Sequence, residues 1–210
     1  MKIVALGFSL VFFVVGCSAL QSTQESIYRL EIGDRIVSIQ LPTKVSKDFR
    51  TMTEINYLSY DDQRFDSSKY NSVLVNSKKY DFGNPPFSIS GTLSMTMVVY
   101  KMTDKDSLAA DSLSDLSEYL VQRAASNKGT IKSTEIRTNM NQQPYVFYDE
   151  YRTELFQYQS HTFPLRQGYY IQLHFRHIDN ASSEKAKQQF RAQTKVFMQE
   201  IVDSVNISND

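Results

Sequence analysis

Tyr169-Tyr170-Ile171-Gln172-Leu173-His174-Phe175-Arg176 puts Tyr169, Ile171, Leu173 and Phe175 on one face of a strand, because successive strand side chains point to opposite sides. Within a few residues the period changes. Asp179-Asn180 offers a helix cap, and Ala186, Phe190, Phe197 and Ile201 then lie at i, i+4, i+11 and i+15, one face of a long helix. Ser204-Val205-Asn206-Ile207 follows as a short closing strand. The same strand-then-helix unit occurs upstream. Thr92 to Tyr100 alternates before turning apolar, as a central strand does. Asp104 to Asn127 then carries Leu113, Leu116, Leu120 and Ala124 on one helical stripe, with Ser112 and Asp115 at capping-box spacing and Gly129 as the C′ residue.

Outward from these units the chain reads as strands with short links. Thr130 to Arg137 and Tyr145 to Phe156 flank an Asn141-Gln142-Gln143-Pro144 turn, and Tyr158 to Phe163 is a further strand candidate that stops at Pro164. Near the start, Ile27 to Ile32 and Arg35 to Leu41 alternate astride Gly33-Asp34, a hairpin ended by Pro42. Tyr28, Leu30 and Ile32 share one face, as do Ile39 and Leu41. Residues 43–91 are the weak part. Asn56 to Tyr60 and Ser72 to Val75 are short strand candidates among Asp, Ser, Lys and the Pro85-Pro86 pair, so this stretch reads as an excursion from the scaffold. The expected fold class is α+β: a mainly antiparallel sheet with two long helices packed on it, in a single domain over 27–207.

Composition narrows the function. The 210 residues carry 23 basic and 23 acidic side chains. A chain so balanced lacks the positive excess that a nucleic-acid backbone demands, so no nucleic-acid partner is expected. One Cys excludes an intrachain disulfide and any multi-Cys metal site.

That Cys has a place. Met1-Lys2, the apolar run Ile3 to Val15 and Gly16 before Cys17 have the layout of a secretory signal over 1–16. The run is shorter than a membrane span. Val14-Val15-Gly16-Cys17 resembles the bacterial lipobox, which implies a Cys17 carrying lipid at the mature N-terminus. Several acyl chains hold far more firmly than one, at ~0.8 kcal/mol per buried CH₂. An ordinary signal peptide with a chance Cys is the plainer alternative; the position of the sole Cys favours the lipoprotein. Ser18 after the Cys implies the outer membrane under the rule of enterobacteria-like organisms. Residues 17–26 then form the lipidated Cys and a polar tether reaching up to ~30 Å from the bilayer.

The body carries a second resemblance. It lies in the Leu41-Pro42 hairpin end, the strand and helix ending near Gly129, the Gln142 to Tyr145 turn, the Gly168-Tyr169-Tyr170-Ile171 strand start and the closing Ser204 to Ile207. In order and pattern these resemble the PsbP-like / DcrB-like α-β-α sandwich family over roughly residues 27–207. The resemblance implies a lumenal or periplasmic domain that binds proteins or assemblies without catalytic residues.

Few residues suggest chemistry. His174 and His177 are three apart on a strand and point to opposite faces, so they cannot jointly hold a metal. There is no His-Glu-x-x-His, no Gly-x-Ser-x-Gly and no phosphate-cradling glycine cluster. Asp104, Asp106, Asp111 and Asp115 read as acids at a helix start rather than a calcium loop. Asp149 and Glu150 point to opposite faces, and Glu150, Arg152 and Glu154 read as a solvated charge ladder. No catalytic residue, metal or cofactor is expected.

The thirteen tyrosines are the surplus. Tyr57, Tyr60, Tyr70 and Tyr80 lie in the excursion, either as pins onto the sheet or, for Tyr60, Tyr70 and Tyr80, as candidate contacts with a partner. The expected function is that of an outer-membrane-anchored, periplasm-facing lipoprotein whose domain binds an envelope or periplasmic protein without catalysis, as an immunity or inhibitor protein or an accessory subunit. The alternative is an envelope hydrolase with a non-standard active site.

Overall fold

The two alternating runs astride Gly33-Asp34 form the expected hairpin, β1 (Glu25–Ile32) and β2 (Arg35–Pro42), with Ile32 opposite Arg35. This is a computed structural model, and it describes residues 25–42, 54–68, 71–84, 88–102, 112–153, 156–180 and 183–209. Cys17 and Tyr70 lie outside the described residues, as do Asp104, Asp106, Asp111 and Glu154. Gly33 has φ +55°, and a Cβ there would meet the Tyr60 ring at 2.0 Å, so conformation and space both demand glycine. The hairpin does not join the main sheet. It centres a four-stranded sheet of order β10-β2-β1-β3, with β3 (Tyr57–Leu58) parallel to β1 and β10 (Asn206–Asn209) antiparallel to β2.

The main sheet is six-stranded and antiparallel. It contains β4 (Ser72–Asn84), β5 (Ser88–Lys101), β6 (Thr130–Thr138), β7 (Pro144–Thr153), β8 (Phe156–Pro164) and β9 (Tyr169–Asp179), in the order β4-β5-β9-β8-β7-β6. Three helices complete the described chain: the short α1 (Gln63–Ser67), then α2 (Leu113–Ser126) and α3 (Glu184–Ser204). The chain is α+β and mostly antiparallel sheet.

Alternation along the strands builds two cores. Leu93, Met95, Met97 and Val99 of β5 and Tyr169, Ile171, Leu173 and Phe175 of β9 face one side, against Leu30, Ile39 and Leu41 of the small sheet and Met198, Ile201 and Val202 of α3. Their neighbours Tyr100 and Tyr170 face the other side with Val146 and Tyr148 of β7, against Leu116 and Leu120 of α2. Each face of the six-stranded sheet therefore has its own helix, and the small sheet shares one face with α3.

Several sequence expectations need correction. Much of the 43–91 excursion is regular structure: Ser72–Asn84 is an edge strand of the main sheet. A bulge between Leu74 and Asn76 hid it. Val73 faces the first core before the bulge and Val75 at it; Tyr80 and Phe82, opposite Leu93 and Gly91, face it after. Odd positions give way to even ones, so no single period runs through the strand. Strand β1 already starts at Glu25, two residues before the expected domain start at residue 27. Helix α3 is capped by Ser183, whose hydroxyl accepts from Ala186 N–H at 3.3 Å, rather than by Asp179-Asn180. Its buried face is Phe190, Thr194, Met198, Ile201 and Val202, with Phe197 at the margin.

Candidate functional site

Two tyrosines of the early segment, Tyr60 and Tyr80, pack onto the fold as pins. Tyr80 is 2% exposed, with its ring edge-on to Phe197 at 4.7 Å, so it cannot be the partner contact its sequence position suggested. Strand alternation after the bulge turns it inward. Tyr60 is half-buried. Its ring fills the space above Gly33 and lies 4.8 Å from Tyr169, and its hydroxyl donates to Asp34 Oδ1 at 2.9 Å. Arg166 Nη1 donates to the other Asp34 oxygen at 2.5 Å. The Tyr60 hydrogen bond first, then the Arg166 hydrogen bond and charge, hold the Asp34 carboxyl below the usual range. Tyr57 is the exposed member at 62%.

A buried polar layer lies between α2 and the sheet. His174 on β9 meets Ser160 on β8, Oγ to Nδ1 at 2.7 Å, and its other nitrogen faces the Tyr100 hydroxyl at 3.5 Å. Gln172 Nε2 donates to the Tyr148 hydroxyl and, at 2.7 Å, to Thr162 Oγ1. Arg123 of α2 donates to the Tyr170 hydroxyl at 2.9 Å and lies 3.8 Å over the Tyr100 ring. Burial raises the pKa of both Tyr148 and Tyr170, for Tyr148 with the Glu150 carboxylate as the next cause, so these phenols stay protonated. Glu150 is 5% exposed here, which corrects its assignment to a solvated ladder.

A serine hydroxyl on an imidazole is the geometry of an activated nucleophile. Ser160 is nevertheless fully buried, and the cavity bounded by Arg123, Tyr148, Glu150 and Gln172 measures about 10 Å³, space for about one water molecule. His174 and His177 do face opposite sides: His177 Nε2 meets Thr194 Oγ1 of α3 at 2.8 Å. Among the described residues no three His, Cys, Asp or Glu side chains gather as a metal site.

The open feature lies elsewhere. A groove of about 670 Å³ runs between the β1–β2 hairpin, the last turn of α3 and the β6–β7 turn. Ile27, Ile39, Pro42 and Met140 supply apolar walls; Glu200 and Asp203 supply charge. Ile27 is 71% exposed and Met140 80%. The volume falls in the range of ligand-binding clefts. Its walls are tied together. Asn139 Nδ2 donates to the carbonyls of Val202 at 3.0 Å and Val205 at 2.8 Å. Asn141 Nδ2 donates to the Asp203 carbonyl at 3.0 Å, and Met140 N–H to Asp203 Oδ1 at 3.3 Å. Ser204 Oγ accepts from Gln40 N–H at 3.0 Å.

No family model matches this chain, and no curated protein matches it. Among solved structures it is similar to cyanobacterial PsbP (CyanoP) from Synechocystis, at TM-score 0.44 and 10% identity over 93% of this chain and 99% of that one. A second similar structure, from Bacteroides thetaiotaomicron, has TM-score 0.33 and 9% identity over 85% of this chain and 49% of that one.

Sequence reasoning missed both the Ser160–His174 pair and the groove. The pair needs strand register, which sets Ser160 opposite His174. The groove unites positions from four distant segments. Its one local sign was the exposed apolar Met140 beside the Asn141 turn. No helix among the described residues is long and apolar enough to cross a membrane.

Proposed function

We propose that this protein is a lipid-anchored envelope domain, of PsbP/DcrB-like α-β-α sandwich build, that binds another protein without catalysis. Cys17 would carry the lipid, holding the domain to the periplasmic side of the outer membrane. Roles as an immunity or inhibitor protein, or as an accessory subunit of an envelope complex, both fit. The carrying observation is the groove: about 670 Å³, open, and flanked by Ile27 and Met140 at 71% and 80% exposure. Large apolar side chains held out on a hydrogen-bonded frame favour a protein surface as their cover. The Ser160–His174 pair favours the envelope hydrolase, and its full burial at Ser160 weighs against it.

The test is a photo-crosslinking side chain at Met140 in the full chain in its native envelope. A discrete protein adduct at Met140, absent with the same probe at Val121 of α2, supports the reading. No adduct at Met140, or equal adducts at both, overturns it. The anchor is tested separately. Cys17→Ser is expected to abolish metabolic acyl labelling, and persistent label would exclude Cys17 as the lipid site.

A further inference from the structure

We infer that the groove takes a cationic, extended segment of the partner, with a Lys or Arg against Glu200 and Asp203 and an apolar side chain against Ile27 and Met140. The inference rests on the protein-binding reading. Three observations carry it. The first is charge: the groove lining includes two carboxylates and no Lys or Arg. The second is the placement of those carboxylates. Asp203 stands in the last turn of a 21-residue helix, Glu200 immediately before it, and that turn has no basic residue. A helix C-terminus already carries partial negative charge, so acids there are unfavourable, and cations are the usual choice. Asn139 and Asn141 satisfy the carbonyls but bring no net charge. A local rule broken in this way, with no compensating cation in the groove lining among the described residues, is a mark of a functional surface. Thirdly, the carboxylates are available. Glu200 has no ion-pair partner among the described residues, and Asp203 accepts from the neutral donors Met140 N–H and Gln199 Nε2. The same charge disfavours an anionic lipid headgroup as occupant.

The probe is a fluorescent hexapeptide of alternating Lys and Leu, with a Glu-Leu counterpart, titrated against the full chain in detergent. The Lys-Leu peptide is expected to bind, and to weaken by about tenfold or more as salt rises from about 0.05 to about 0.5 M. The double variant Glu200→Gln, Asp203→Asn is expected to lose about tenfold in affinity. Asn at 203 retains an oxygen for Met140 N–H, so an unchanged melting curve marks an intact turn. No binding by the Lys-Leu peptide, equal binding by the Glu-Leu peptide, or full affinity in the double variant overturns the inference. The two readings separate in the crosslinking assay. An undiminished Met140 adduct in the double variant sinks the cationic segment and leaves protein binding standing. Loss of the wild-type adduct sinks protein binding itself.

Discussion

The surroundings of His161 disfavour a second ring proton. Its ring is packed by Phe147 at 5.1 Å, Tyr145 at 5.5 Å and Phe175 at 5.6 Å, and its Nδ1 has no hydrogen-bond partner among the described residues. Burial first, and the Arg137 charge second, lower its pKa to about 3. Above pH ~6.5 neither folded nor unfolded chain protonates this ring. Between there and about 3 the unfolded chain binds a proton that the folded chain refuses. Stability therefore falls on acidification through that window, by up to about 1.4 kcal/mol per pH unit from this residue. From pH 7 to pH 5 the loss amounts to about 2 kcal/mol. Urea midpoints of the wild type and His161→Leu at the two pH values check this: the variant is expected to lose less. Parallel pH profiles would remove His161 as the cause. The residue type was plain in the sequence. Its environment comes from β7 and β9, the two strands that flank β8, so no local pattern announced it.

At the scale of elements, the ends of α2 show what local spacing can tell. Ser112 caps the helix as its spacing predicts, accepting from Asp115 N–H at 3.1 Å and donating to Asp115 Oδ2 at 2.7 Å. Ser112→Ala is expected to cost about 1 kcal/mol. The C-terminus differs by one residue from the expectation. Lys128, at φ 60°, takes the left-handed C′ position, and Gly129 follows at C″. Their N–H groups reach Ala125 O at 3.1 Å and Ala124 O at 2.8 Å, a Schellman closure. A Lys with positive φ stores strain that glycine would not. Lys128→Gly is expected to raise stability by about 0.5–1 kcal/mol, since glycine's larger unfolded-state entropy offsets part of the relief. Urea denaturation of both single variants measures the two effects, and a destabilised Lys128→Gly would show that its side chain contributes more than its backbone costs.

The whole molecule hangs two cores on one sheet. Because β5, β7 and β9 give alternate residues to both sides, neither layer can loosen without exposing the other's strands. Leu120 is 2% exposed under α2, and Phe190 is fully buried under α3. Leu120→Ala is expected to cost about 2–5 kcal/mol and Phe190→Ala about 3–5 kcal/mol. Each should lower a single cooperative transition followed by far-ultraviolet dichroism and tyrosine fluorescence alike. Divergence of the two signals in either variant would mean that the layers unfold separately.

Local chemistry was enough to read the hairpin about Gly33, the strand at Tyr169–Arg176, the stripe of Leu116, Leu120 and Ala124, and the Ser112 cap, since each depends on neighbours a few residues away. The α+β class followed from their order. Tertiary structure decided the rest. It placed the hairpin in a second sheet with the chain's last strand, and it ordered residues 72–84 through a bulge that broke their period. It also buried Tyr80 and Glu150, set Ser160 against His174, and drew Ile27, Met140, Glu200 and Asp203 to one groove. Those outcomes depend on register and on packing between segments far apart in the chain, where a residue's own type and its neighbours' periodicity carry no information.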